Sequence, residues 1–386
     1  MIFDEITIIT SGILILLAIT TSFLNPFFRW NIKKGGSIGI EENFPNIDKM
    51  PPVSIIVTAH DNSQELEKHL PTLLTQNYNA EYQVVIVAEL GDSETEDILK
   101  RYSQNKHLYT TFIPNSSRYM SRKKLAITIG VKAAKHEWII ITDAYCSPIS
   151  DEWLKTMARN FNEKNTLVIG YSGYEKKAKP FYRYERLRSS CYLMEEALRS
   201  TAYRTNGTNL AFRKSIFMNG NGYQGNLNLI RGEYDFIVNK YAINGKTAVE
   251  ISPKVWIRDD YQSKEAWYDK HIFYMETRKY LQRSFAHRSL YNIDMLMMYI
   301  NYIVISLAIA YSIITQKWII SITAGIALLV TILLRVLFAQ KTIKRFDEQI
   351  SLWQIIPFEF GLIWSSLFNS LRYKRANKYD FTSHKL

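Results

Sequence analysis

Val53-Ser-Ile-Ile-Val-Thr-Ala59, preceded by Pro51 and Pro52, is a continuous apolar run of strand length. A run without polar alternation suits a strand buried on both faces, as in a parallel sheet covered by helices. Downstream, Asn62 and Ser63 are cap residues for a helix in which Leu66, Leu70, Leu73 and Leu74 recur at helical spacing. Gln83 to Ala88 reads as a second strand, and Ser93 caps a helix through Tyr102. Tyr109 to Ile113 is a third strand, Ser121 to Ala134 a third helix, and Glu137 to Thr142 a fourth strand ending at Asp143. This alternation predicts an α/β fold with a Rossmann-like, mostly parallel sheet flanked by helices. Ligands of such sheets bind beyond the carboxyl ends of the strands. The loops after Ala59, Ala88 and Thr142 are therefore the first places for a bound molecule, with Ala59 itself a candidate contact. No GxGxxG follows the first strand and no P-loop lysine motif occurs, which argues against a dinucleotide fingerprint or a Walker-type ATPase.

The flanks are apolar. The chain has 386 residues, 47% hydrophobic and 13% aromatic, with a formal net charge of +12. This composition excludes a disordered or collagen-like chain. Cys146 and Cys191 are too few for a disulfide framework and lack metal-type spacing; Cys146 reads as a small buried residue. Ile6 to Leu24 carries no charge and is long enough to span a bilayer. Asp4 and Glu5 before it, and the lack of a small-residue cleavage site, do not fit a signal peptide. Arg29, Lys33 and Lys34 follow it, so the positive-inside rule puts the N-terminus outside and the next segment in the cytoplasm. Met295 to Thr315 and Trp318 to Phe338, separated by Gln316 and Lys317, form a hairpin of two further spans, with Arg335 near the end snorkelling to the interface. Lys341, Lys344 and Arg345 again mark the cytoplasmic side. Ser351 to Leu371 contains Pro357 and Glu359 and is followed by Arg372, Lys374, Arg375 and Lys378. It reads as an interfacial or re-entrant helix with a basic tail on anionic headgroups. Phe181 to Leu198 is aromatic, basic and helical in pattern, and lies either against headgroups or in the core.

Several strand-end residues have chemistry to offer. Glu89 can accept hydrogen bonds from a ribose hydroxyl or a base N–H, or simply begin an acidic helix start with Asp92, Glu94 and Glu96. Asp143, at the end of a buried strand, is poorly explained by packing; a divalent cation bridging a diphosphate is one solution. Lys123 and Lys124, in Ser121-Arg-Lys-Lys124 at a helix start, can face phosphate or remain solvated charges. Glu233 and Asp235, in Arg231-Gly-Glu-Tyr-Asp235, precede a helical pattern and are either a general base or acids at a helix N-terminus.

In combination, PPVSIIVTAHDNSQELEKHLPTLLTQNY, YQVVIVAELGDSETEDIL, KKLAITIGVKAAKHEWIIITDAYC, GTNLAFRKSIF and RGEYDF resemble a membrane-bound family 2 glycosyltransferase of GT-A fold, of the type common in Bacteroidetes-like bacteria. The resemblance covers roughly residues 50 to 290 and extends to the flanking spans. It implies a nucleotide-sugar donor at the carboxyl edge of the sheet and an inverting reaction in which a base deprotonates an acceptor hydroxyl. Glu89 falls where the family reads the nucleoside with an Asp. Asp143 falls on the first Asp of the family's DxD, implying Mg²⁺ or Mn²⁺, and Glu233 and Asp235 fall in the motif containing the catalytic base. The chain departs from the pattern in four places: Glu89 replaces the nucleoside-reading Asp, Tyr145 replaces the second Asp of DxD, the acidic motif reads Glu233-Tyr234-Asp235, and Tyr280-Leu-Gln-Arg283 is at best a remnant of the processive signature.

The expected layout is an N-terminal transmembrane anchor (1–30), a linker (31–50), a cytoplasmic GT-A domain (51–290), a transmembrane hairpin (291–340) and an interfacial helix with basic tail (341–386). The expected function is transfer from a nucleotide-diphosphate sugar to a lipid-linked or membrane-proximal glycan acceptor at the inner (cytoplasmic) membrane. The alternative is a non-catalytic binding or scaffold subunit of a glycan-assembly complex, motivated by Tyr145 and Tyr234. Nucleic-acid binding rests only on the net charge, much of which flanks membrane segments, and no helix-turn-helix, RRM or zinc pattern accompanies it.

Overall fold

The computed structural model describes residues 4–32, 50–114, 121–260 and 263–382. Most of the expected linker, with Lys33 and Lys34, lies outside these residues. The chain divides into two compact units, one formed by Met1–Lys34 and Arg283–Ser366, the other by Gly35–Gln282 and Leu367–Leu386.

Two helices, α1 (Glu5–Phe23) and α2 (Pro26–Ile32), precede the sheet. Then β1 (Val53–Thr58), β2 (Tyr82–Glu89), β3 (Leu108–Ile113) and β4 (Trp138–Asp143) alternate with α3 (Ser63–Leu74), α4 (Ser93–Arg101) and α5 (Arg122–Ala133). A second half follows with β5 (Cys146–Pro148), α6 (Trp153–Ala158), β6 (Leu167–Gly170), β7 (Ser172–Tyr174) and α7 (Pro180–Arg199). It continues through β8 (Leu210–Arg213), α8 (Lys214–Asn219), α9 (Glu233–Tyr241), β9 (Thr247–Glu250), β10 (Ile257–Asp259) and α10 (Lys264–Thr277). Three helices remain: α11 (Phe285–Thr315), α12 (Trp318–Arg345) and α13 (Leu352–Arg375).

Seven strands form one sheet in the order β3-β2-β1-β4-β8-β6-β9, and β5, β10 and β7 form a smaller one. The first four strands are parallel, as their apolar runs predict, and β8 is antiparallel to both neighbours. The central strand β1 is buried along its whole length. Close packing of α5 on it is enforced at Gly130, where an added Cβ would stand 2.5 Å from Ile56 Cγ2. Register decides the site: Thr58 of β1 lies opposite Asp143 of β4, so both parallel strands deliver a side chain to the same carboxyl edge. The mostly parallel sheet with flanking helices is the α/β architecture expected from sequence.

In the other unit, three helices among the described residues are long and apolar enough to cross a membrane: Glu5–Phe23, Tyr291–Thr315 and Trp318–Arg345. Their contact is made by Leu14, Ala18, Ile305, Ala308, Ile320, Ala324 and Ala327. The alanines let the helix backbones approach closely, which matters where lipid is as apolar as the helix surface. Gln316 closes α11 in a left-handed conformation (φ 56°) and makes the short hairpin turn. Arg335 does not snorkel. It is fully buried, with its guanidinium donating to Glu359 at 2.6 Å and to Asp294 at 3.2 Å. The neighbouring carboxylates offset its desolvation locally, so the side chain need not reach the interface.

Two further expectations take definite form. Fourteen residues of α7, an element of 20 residues, are buried, so the core alternative holds for Phe181 to Leu198 rather than a place on headgroups. Helix α13 includes Pro357 and begins in the membrane-helix unit but ends in the sheet-bearing one. In the latter, the Arg372 guanidinium lies 3.7 Å from the ring centre of Tyr268, the Tyr373 hydroxyl bonds Glu276, and Ile230 N–H donates to the Phe381 carbonyl. At least this part of the basic tail is engaged by protein.

Candidate active site

Asp143 is 1% exposed, and four donors converge on its carboxylate. Oδ1 accepts from Thr58 Oγ1 at 3.0 Å and from the Tyr234 hydroxyl at 2.7 Å. Oδ2 accepts from Lys123 Nζ at 2.8 Å and from the Tyr145 hydroxyl at 2.6 Å. Burial pushes the Asp143 carboxyl up, but the Lys123 charge and the hydrogen bonds from Lys123, Tyr145 and Tyr234 outweigh it and hold it below the ordinary value. Burial likewise pulls the Lys123 ammonium down, and Asp143 and Glu233 together bring it above its usual range. Tyr145 and Tyr234 are driven well above the normal phenol range by burial and then by the Asp143 charge, so they act as donors.

Lys123 also pairs with Glu233 Oε1 at 3.2 Å, and its ammonium lies 4.9 Å from the Tyr234 ring centre. The other Glu233 oxygen, Oε2, is buried and has no hydrogen-bond partner among the described residues. The turn before α9 brings these residues in. Gly232 adopts φ 92°, and an added Cβ there would lie 2.9 Å from the Phe236 ring. Only glycine takes this conformation without strain, and it aims the first turn of α9 at the end of β4. Asp235, half-buried in the same turn, accepts from the Thr205 backbone N–H at 3.3 Å. Burial raises its carboxyl pKa, partly countered by Arg204.

The structure thus brings together Asp143, Lys123 and Glu233, with Asp235 in the same helical turn as Glu233. The other sequence candidates are placed differently. Glu89 sits at the end of β2, but its carboxylate is held by Arg122 Nε and by His60 Nδ1 at 3.0 Å. Ala59 is buried, and its N–H donates to the Val87 carbonyl, so it contributes to the sheet edge rather than a free donor. Lys124 corrects the expectation of a phosphate-facing or solvated charge. It is 1% exposed, and its ammonium donates at 2.6 Å to the carbonyls of both Asn226 and Leu229. Asp92 caps α4 by accepting from the Thr95 N–H, which is the helix-start alternative. Sequence reasoning missed Thr58, Arg122 and His60. Thr58 and His60 were legible only as flanks of Ala59, and Arg122 as a neighbour of the two lysines.

A divalent cation does not fit this donor set. Hard cations want several free carboxylate or carbonyl oxygens. Both oxygens of Asp143 already take two donors each, and the position of a second acid is held by Tyr145. Among the described residues no group of three His, Cys, Asp or Glu side chains is arranged to hold a metal ion. A small cavity of about 10 Å³ lies elsewhere, lined by residues including Tyr171, Ser190, Met194 and Arg204, and none of the sequence candidates lines it.

Residues 54–220 match the family model described as Glycosyl transferase family 2. No curated protein matches the chain. Among solved structures, it is similar to "Mannosyltransferase PcManGT from Pyrobaculum calidifontis in complex with GDP-Man and Mn2+", with 15% identity, a TM-score of 0.49, and coverage of 84% of this chain and 99% of that one. It is also similar to "S. aureus TarS 1-349 in complex with UDP-GlcNAc", with 15% identity, a TM-score of 0.45, and coverage of 76% of this chain and 89% of that one. At these scores neither likeness bears on the donor, metal or acceptor of this chain.

Proposed function

We propose that the protein transfers a sugar, with inversion, from a nucleotide-diphosphate donor to a lipid-linked or membrane-proximal glycan acceptor. The observation that carries this reading is the match of residues 54–220 to family 2 glycosyl transferases on a sheet whose carboxyl edge gathers Asp143, Lys123 and Glu233. Asp235 is the better base of the two acids. Glu233 is committed to Lys123, whereas Asp235 is half-buried, accepts from the Thr205 backbone N–H and has a carboxyl made more basic by burial. It would take the proton from an acceptor hydroxyl as that oxygen attacks the anomeric carbon and the nucleoside diphosphate leaves. Lys123 and the first turn of α5 supply positive potential toward the leaving diphosphate. With three helices able to span a bilayer, the favoured setting is the inner membrane of a bacterium, with the sheet in the cytoplasm. In that setting 51–290 is the transferase domain between the N-terminal anchor and the hairpin.

One observation favours a second reading, the non-catalytic scaffold: Tyr145 and Tyr234 both close on Asp143. Incubation of purified protein with a panel of nucleotide sugars, reading nucleoside diphosphate release, tests the two. Turnover that Asp235→Asn abolishes supports transfer; a fold-competent protein that turns over no donor supports the scaffold.

A further inference from the structure

Whatever binds at the end of β4 meets a carboxylate whose acceptor positions are filled and, among the described residues, a lysine whose donors are not. Lys123 has three ammonium N–H groups, and its acceptors at the site are Asp143 Oδ2 and Glu233 Oε1. Its side chain is 20% exposed, against 1% for Asp143 and 6% for Glu233, so the cation is the part of the cluster that solvent reaches. It stands in the first turn of α5, whose N-cap Ser121 accepts from the Lys124 N–H. Tyr145 and Tyr234 flank the ammonium with their rings 5.9 and 4.9 Å away and spend their hydroxyls on Asp143.

We propose that Lys123 does the work of a divalent cation in this site, so that a nucleoside diphosphate binds here without metal. The inference rests on the transferase reading and adds to it the kind of positive partner the donor meets. The physical basis is exchange of one cation for another. A metal would need oxygens that Thr58, Tyr145, Tyr234 and Lys123 already occupy. A fixed ammonium with an unused N–H offers a charge-assisted hydrogen bond to phosphate oxygen with no metal to recruit. Tyr145 is the residue that makes the difference. Its hydroxyl donates to Asp143 where an acid would have presented a second pair of acceptors.

The test is calorimetric titration of the full-length protein in detergent with UDP and with GDP, once in EDTA and once in Mg²⁺ or Mn²⁺. The expected result is the same Kd for the binding nucleotide in both conditions, within about twofold. Lys123→Gln should weaken binding about ten- to a hundredfold in either, the effect of losing a charged hydrogen bond, and Lys123→Arg should restore part of it. Tyr145→Asp should gain a Mn²⁺ signal by electron paramagnetic resonance that the parent protein lacks. Binding that EDTA abolishes, or that metal tightens about tenfold or more, overturns the inference while leaving the transferase reading standing. If neither nucleotide binds in either condition, the transferase reading itself falls, and the inference falls with it. Should Lys123→Gln fail to fold, the comparison of the parent protein with and without EDTA decides alone.

Discussion

Replacing Arg335 by leucine should unfold the membrane-helix unit far more readily than a surface change would. The guanidinium is fully buried and donates to Glu359 Oε2 at 2.6 Å, twice to Asp294 Oδ1 at 3.2 Å, and to the Thr21 carbonyl at 2.9 Å. Leucine fills some of the volume but leaves two acids, Glu359 at 0% and Asp294 at 2% exposure, without their shared cation. Asn25 still donates to the second Glu359 oxygen at 2.8 Å, so that carboxylate retains one neutral partner. Removing one member of a buried charged pair typically costs about 3–5 kcal/mol, because the remaining charge stays desolvated. With two carboxylates affected, we expect the loss at the upper end of that range. Glu359→Gln should cost less, about 1.5–3 kcal/mol, since Arg335 keeps Asp294 and loses one charged hydrogen bond. The assay is reversible unfolding in detergent micelles, followed by helical circular dichroism, with a double-mutant cycle on Arg335 and Glu359. A loss below about 1 kcal/mol for Arg335→Leu, the range of an exposed pair, would refute the reasoning. It would mean that the arginine can reach an interface after all.

The remaining predictions concern the sheet-bearing unit. Asp235→Asn should lower kcat about 10²- to 10⁴-fold with little change in donor KM, and the acidic limb of the parent profile should lie above the ordinary aspartate range because burial raises that carboxyl. Lys124→Met should destabilise the fold by about 1–3 kcal/mol, because the buried Leu229 carbonyl loses its ammonium donor while the Asn226 carbonyl keeps the Leu229 N–H at 3.4 Å, measured by thermal or denaturant unfolding. His271 Nε2 lies 2.5 Å from Glu185 Oε1; burial pulls the imidazole down, but the Glu185 charge and hydrogen bond bring it above its usual value of 6.5. A raised histidine stabilises fully below 6.5 and loses that contribution as pH rises through its folded value, so unfolding midpoints should fall across that window and His271→Gln should flatten the fall.

How much of this was legible in the chain differs by element. The four parallel strands were read to within a residue or so, because a strand buried on both faces writes itself as a continuous apolar run. The three candidate spans were equally plain, since a charge-free stretch of bilayer length has few other uses. The helix over Phe181 to Leu198 left two alternatives, because aromatic and basic residues suit a headgroup layer and a buried polar network alike. Its burial came from packing that no local pattern encodes.

The candidate site shows the same division. That Asp143 closes a buried strand, and that Lys123, Glu233 and Asp235 stand near helix starts, follows from local pattern alone. Which of them meet does not. Asp143 and Tyr234 are 91 positions apart, and Lys123 and Glu233 meet only because the left-handed turn at Gly232 delivers α9 to the end of β4. Sequence also left Lys123 and Lys124 as equals, two adjacent ammonium groups with the same chemistry. A helix turns about 100° per residue, so adjacent side chains face different surroundings. One of them therefore reaches the carboxylates and the other two backbone carbonyls. The sequence by itself determined the α/β sheet, the apolar spans and the short roster of strand-end acids and bases, because each is a property of composition and period along the chain. Only the tertiary structure decided that the Asp143 carboxylate is filled from within by a lysine, a threonine and two tyrosines, because that is a property of what long-range packing places within hydrogen-bond reach.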